Sequence, residues 1–259
     1  MTVFGRTARP VLLAVSVLAL AACQTKTASL DAADSMATAS TSQASFKRTK
    51  DLGEKWKADP GNATLGLAYA QSLEQLGQTE QQVEVLKVVA GQNPANAKVQ
   101  TIYGKQLIKS GRATDAAAAL EQAIAAGQAD APTYSALGSS YDQQGHYAKA
   151  RASYQKALAL KPNDPGILNN MGMSHALEGN LKEAEKTLRL AAAQPSSKAL
   201  PRIRQNLALV VGLQGRFDES RQIASADLPP DQVEANLAYL QSMLSQPNTW
   251  QQLAGQPPG

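Results

Sequence analysis

Residues Ala131–Pro162 read APTYSALGSSYDQQGHYAKARASYQKALALKP, and the placement of large and small side chains in this stretch decides the fold. Tyr134, Leu137, Tyr141 and Tyr154 are bulky, Gly138 and Ala150 are small, and Gly145 and Pro162 punctuate the run. Glycine takes a left-handed backbone without a Cβ clash, so Gly145 ends a first helix. Proline cannot continue a helix, so Pro162 stops a second. The small residues let the two helices approach closely, and the bulky ones fill the space between this unit and its neighbours.

The pattern recurs outward at an interval of 34 residues. Gly77, Gly111, Gly145 and Gly179 keep that interval. Eight positions before them stand Tyr69, Tyr103, Leu137 and Met171, and seven before stand Ala70, Gly104, Gly138 and Gly172. Leu86, Leu120, Tyr154 and Leu188 fall nine after, and Val89, Ala123, Ala157 and Ala191 twelve after. One helix pair cannot bury its apolar face alone, so such units gain stability by stacking. The beat continues in both directions. Leu52 and Pro60 predict a lone second helix over Phe46–Ala58, with Trp56 covering the end of the stack. The next turn glycine, Gly215, comes after 36 residues, the extra two fitting the loop at Gln194-Pro195-Ser196-Ser197.

Together these positions resemble the tetratricopeptide repeat (TPR) family. The resemblance implies an all-α, right-handed solenoid of antiparallel helix pairs: a partial first helix, four regular repeats and one divergent repeat over residues 47–227, then a C-terminal capping helix over 228–245. For that last helix Asp231 and Glu234 predict a capping box, with Val233, Leu237, Leu240 and Leu244 on one face. Residues 246–259 read as a flexible tail in which Trp250 and Leu253 are the only docking candidates.

The amino end sets the expected compartment. Arg6 and Arg9 precede an apolar run from Val11 to Leu20 that is too short to span a bilayer, so residues 1–22 read as an export signal. Leu20-Ala21-Ala22-Cys23 resembles the lipobox of bacterial lipoproteins, which implies lipid attachment at Cys23, the sole cysteine. By the same resemblance, Gln24 after the cysteine favours the outer membrane. Residues 23–46 are rich in Ser, Thr and Ala and predict a disordered tether, whose reach is roughly 25 Å root-mean-square. Loss of Arg6 and Arg9 with the signal lowers the formal net charge from +4 to +2, and aromatics make up only 5% of the chain. That balance argues against nucleic acid as a partner.

The sequence signals neither catalysis nor a metal, cofactor or small-molecule substrate. His146 and His175 read as packed or solvated side chains, since no Cys, second spaced His or acidic cluster completes a metal site. What a TPR stack offers is a groove lined by the first helices. The family's groove positions fall on Lys98, Thr101, Lys105 and Ile108, with Lys109 adjacent, then on Asn169 and Met173, and on Arg202, Gln205 and Leu209. Lys98, Lys105 and Lys109 share one helix face and predict a weakly basic groove for a protein segment with acidic residues.

The lipobox, the tether, the Leu168-Asn169-Asn170-Met171-Gly172 unit, the run Pro201-Arg202-Ile203-Arg204-Gln205-Asn206-Leu207, and Ala224-Ser225-Ala226-Asp227-Leu228-Pro229-Pro230 resemble the TadD family, TPR lipoproteins of the tight-adherence (Flp) pilus assembly system. That resemblance implies a non-enzymatic, pilotin-like scaffold at the periplasmic face of the outer membrane, anchored by lipid, whose partner is the pilus secretin or another Tad component. The alternatives are an adaptor of another envelope machine (β-barrel assembly or a cell-wall hydrolase scaffold) and an enzyme acting on peptidoglycan.

Overall fold

The computed structural model describes residues 32–245. The export signal, Cys23, the first part of the tether, and the tail with Trp250 and Leu253 lie outside the described residues. The chain divides into two compact units, residues 1–43 and 44–259. Of the first, the described part is helical. Helix α1, Ala32–Ala58, crosses the division. The disordered tether expected up to residue 46 is therefore corrected from Ala32 onward. Ala32, Ala33, Ala37, Ala39 and Ala44 carry the highest intrinsic helix propensity, which the absence of an apolar period concealed.

The second unit continues with five helix pairs: α2 (Ala63–Gln75) and α3 (Thr79–Gln92), α4 (Ala97–Lys109) and α5 (Ala113–Ala125), α6 (Ala131–Gln143) and α7 (Tyr147–Leu160), α8 (Pro165–Leu177) and α9 (Leu181–Ala193), α10 (Pro201–Leu213) and α11 (Phe217–Ala224). A final helix, α12 (Pro230–Ser245), follows, and the described residues contain no strand. This is a TPR solenoid. The four regular first helices start alike. Asn62, Asn96, Asp130 and Asp164, themselves 34 apart, each accept a hydrogen bond from a first-turn N–H, which satisfies donors the helix leaves open. Every pair turns at a glycine with positive φ, Gly77, Gly111, Gly145, Gly179 and Gly215.

Each regular pair closes at one small-against-large contact. A Cβ on Gly138 would lie 2.5 Å from Tyr154 Cε1, one on Gly104 2.6 Å from Leu120 Cγ, and one on Gly172 2.8 Å from Leu188 Cγ. Side chains then lock pair to pair. Tyr154 shares a core with Ile167 and Met171 of the next unit, and Leu188 with Leu207, Val210 and Val211. At the amino end Trp56 packs on Tyr69, ring centroids 5.7 Å apart, and joins the core formed by Leu73, Leu86 and Val99.

The divergent end differs in detail. The two extra residues are absorbed by a 3-10 segment, Pro195–Ala199. Helix α12 begins at Pro230, where the missing N–H costs nothing, so the capping box expected at Asp231 and Glu234 does not form. Asp231 lies inside the first turn, and Glu234 instead accepts from Arg221 Nε at 2.7 Å. Leu240 of α12 packs on Gly212, whose Cβ would lie 2.8 Å from Leu240 Cδ1. Arg204 forks onto Asp227, bonded at 2.6 Å and 2.5 Å. Among the described residues no helix is long and apolar enough to cross a membrane.

The close contacts predict that Gly138→Ala destabilises the protein by about 1–3 kcal/mol through overpacking, despite a helix-propensity gain of about 1 kcal/mol. Gly111→Ala, where a Cβ has open space but φ is +71°, should cost only about 1 kcal/mol of backbone strain. Urea unfolding of the two variants separates these effects.

Candidate functional site

Helix α4 touches α6, α6 touches α8 and α8 touches α10, whereas the second helices stand farther apart. The first helices therefore form the inner side of the curved stack. Two contacts mark its rows. Lys109 Nζ lies 2.7 Å from Glu74 Oε1 of α2, and Gln143 donates to the Ile108 carbonyl of α4 at 3.3 Å.

The residues singled out by sequence separate into three groups. Lys98, Lys105, Lys109 and Arg202 are exposed residues of the first helices α4 and α10. Lys98, Lys105 and Arg202 have no ion-pair partner among the described residues, while Lys109 is partly neutralised by Glu74. Met173 is half-buried and packs beside the core of Leu188 and Leu207. Thr101 and Asn169 are corrections: at 8% and 4% exposure they are not offered to a partner. The repeat register fixes which way a residue points but not how closely the adjacent helix covers it. Asn169 accepts from Asn206 Nδ2 at 2.8 Å and donates to Asn170 Oδ1 at 3.4 Å, and Asn170 donates to Ser135 Oγ at 3.4 Å. This amide ladder joins α6, α8 and α10; Ser135 and Asn169 stand ten positions before their turn glycines, and Asn170 and Asn206 nine before theirs.

Beneath the ladder lies a second polar junction. Asp142 of α6 accepts from Ser174 Oγ at 2.6 Å and from Tyr154 OH at 2.7 Å, with Ser174 and Tyr154 almost wholly buried. Burial, the largest influence, pushes the Asp142 carboxyl above the usual carboxylate range, against the opposing pull of the Ser174 and Tyr154 hydrogen bonds and the Arg151 charge. Burial likewise lowers His175, helped by nearby Arg151. Arg151 itself reaches Glu178 at 2.9 Å. On the outer side Glu185 gathers Arg189, Arg216 and Gln214. Burial alone would raise its pKa, but the hydrogen bonds from Gln214 and Arg189, with the charges of Arg216 and Arg189, hold it below the usual range. Asp142, Arg151 and Glu185 are each occupied in holding helices together, whereas the buried Nδ1 of His175 has no hydrogen-bond partner among the described residues. No cluster of three His, Cys, Asp or Glu side chains that would hold a metal ion occurs among the described residues.

Comparison with known proteins agrees with this geometry. The family model of the TPR repeat matches residues 138–179. A solved structure of MamA is 25% identical, with TM-score 0.54, over 66% of this chain and 98% of that one. A thermophilic TPR protein of Thermus thermophilus is 20% identical, with TM-score 0.57, over 70% of this chain and 100% of that one. YrrB, described as a TPR protein with an unusual peptide-binding site, is 16% identical, with TM-score 0.53, over 74% and 97%. No curated protein matches the sequence. Residues 138–179 therefore carry a TPR repeat, and the chain is similar in fold to these TPR proteins.

The Asp142 junction predicts a signed pH effect. Its folded pKa lies above the unfolded value, so the native state binds the proton more tightly. Its contribution to stability is therefore largest in acid and is lost as pH rises through the folded value. In urea unfolding at several pH values, wild type should exceed Asp142→Asn by more near pH 4 than near pH 7. Asp142→Ala leaves two buried hydroxyls unpaired and should cost about 2–4 kcal/mol.

Proposed function

We propose that this chain is an outer-membrane lipoprotein, held at the periplasmic face by acyl chains on Cys23, that scaffolds assembly of the tight-adherence (Flp) pilus machinery in the manner of a pilotin. The observation that carries this reading is the pairing of a lipobox, containing the chain's only thiol, with a row of stacked helix pairs whose first helices expose Lys98 and Lys105, neither with an ion-pair partner among the described residues. The late segments around Asn206 and Asp227, which resemble the TadD family, supply the pilus part. A TPR neighbour with a peptide-binding site, YrrB, supports capture of a protein segment.

Mechanistically, each buried methylene contributes about 0.8 kcal/mol, so two or three acyl chains hold a protein at the bilayer for practical purposes permanently. Confinement to a surface raises the scaffold's effective concentration near an outer-membrane partner without adding any contact. The inner row of Lys98 and Lys105 then receives an acidic segment of that partner, the pilus secretin or another Tad component, and holds it during assembly. Nothing in this sequence of events requires turnover.

Metabolic labelling with a palmitate analogue should mark the wild-type chain and leave Cys23→Ser unlabelled and released from the membrane fraction. In-cell crosslinking from the inner row should retrieve the secretin. An unlabelled wild-type chain removes the anchor. Crosslinks only to a barrel-assembly factor or a cell-wall hydrolase transfer the scaffold to another envelope machine.

A further inference from the structure

The inner side changes chemistry along its length. Two positions before the turn glycines stand Gln75, Lys109, Gln143, Leu177 and Leu213. This row lies where the first helices meet, as the Lys109–Glu74 and Gln143–Ile108 contacts show. It is polar or charged through the third unit and leucine in the fourth and fifth. The row six before the glycines changes in the same sense, from Lys105 through Ser139 to Met173 and Leu209. Leu177 is 52% exposed although α8, which carries it, packs against α10. Leu209 and Leu213 are half-buried. Apolar side chains that recur in one register on neighbouring helices and stay open mark an interaction surface, whereas singly exposed ones such as Leu160 and Leu190 do not.

We infer that the inner side reads a bipartite protein segment, acidic where it crosses α4 and apolar where it crosses α8 and α10. This rests on the scaffold reading above and adds to it the composition and order of the bound segment. Charge complementarity fixes one end, because Lys98 and Lys105 form no ion pair among the described residues, although Asp130 stands near enough to Lys105 to feel its charge. The leucines of α8 and α10 fix the other. Packed helices stand 8–10 Å apart, so α4 to α10 spans about 24–30 Å. At about 3.3 Å per residue, an extended segment covers that distance with roughly seven to nine residues. The acidic cluster and the apolar pair therefore belong to one short linear segment, separated by a few residues.

The test uses the full chain in detergent and two fluorescent ten-residue peptides of identical composition, three acidic residues at one end and two leucines at the other, in opposite orders. Anisotropy should show one order binding at least tenfold more tightly than the other. Leu177→Ser with Leu213→Ser should weaken that peptide at least tenfold, with circular dichroism unchanged, and should leave a peptide carrying only the acidic end unaffected. Lys98→Glu with Lys105→Glu should weaken both. Undiminished binding of the preferred peptide by the leucine variant, or equal binding of the two orders, overturns the bipartite inference and leaves the basic groove standing. Undiminished binding by the lysine variant removes the basic groove and the inference with it. Self-association of the chain that the leucine variant abolishes, without peptide binding, assigns the face to a second copy and also overturns it.

Discussion

The close approach of the two helices within each pair is the constraint on which the rest of this structure depends. A residue without a side chain, or with one methyl, meets a leucine or tyrosine sixteen positions later across the crossing. Gly104 with Leu120, Gly138 with Tyr154 and Gly172 with Leu188 repeat the solution, and Ala70 with Leu86 occupies the same two positions in the first pair. Because interiors are packed as tightly as organic crystals, the crossing admits one spacing, and each pair presents its outer faces at fixed angles. The bulky partner is then free to serve a second purpose. Tyr154 covers Gly138 and also meets Ile167 and Met171 of the next unit, so the contact that closes one pair also seats the following one.

From that regularity the inner rows follow. Each first helix contributes the same registers, so a property that varies along a row does so without change in the backbone. Polar junctions hold the helices in line: the amide ladder from Ser135 to Asn206 and the Asp142 knot with Ser174 and Tyr154. Buried polar groups with their partners met specify one arrangement of neighbours more sharply than apolar packing alone. The ion pairs, by contrast, lie mostly on exposed rims, where such pairs contribute little. The Arg204 fork onto Asp227 and the pairs made by Glu185 are exceptions, since both carboxylates are mostly buried.

Much of this architecture was legible in the sequence because a solenoid writes its geometry as a period. The turn glycines, the lone helix bearing Trp56, the divergent fifth pair and its two extra residues all lie where the 34-residue beat places them, the last as a 3-10 segment. The Asx caps at 62, 96, 130 and 164 keep the same beat and were equally open to reading. What the period does not carry is competition between neighbours. Glu234 is within reach of its own helix start and of Arg221, and the charge-assisted bond to the guanidinium wins. Thr101 and Asn169 stand in groove registers but are covered by adjoining helices. Alanine-rich sequence before Phe46 shows no apolar period, yet its propensity favours helix from Ala32.

Helix α12 has an effect that reaches beyond its own packing. It lies on the side of the last pair where another pair would otherwise seat, filling the notch at Gly212 with Leu240 and clasped by the Arg221–Glu234 bond. Heterologous head-to-tail joining of identical subunits generates open filaments unless the rotation closes a ring. Because α12 occupies that face with Leu240 and Glu234, a second copy arriving there would meet α12 in place of the bare faces of the last pair.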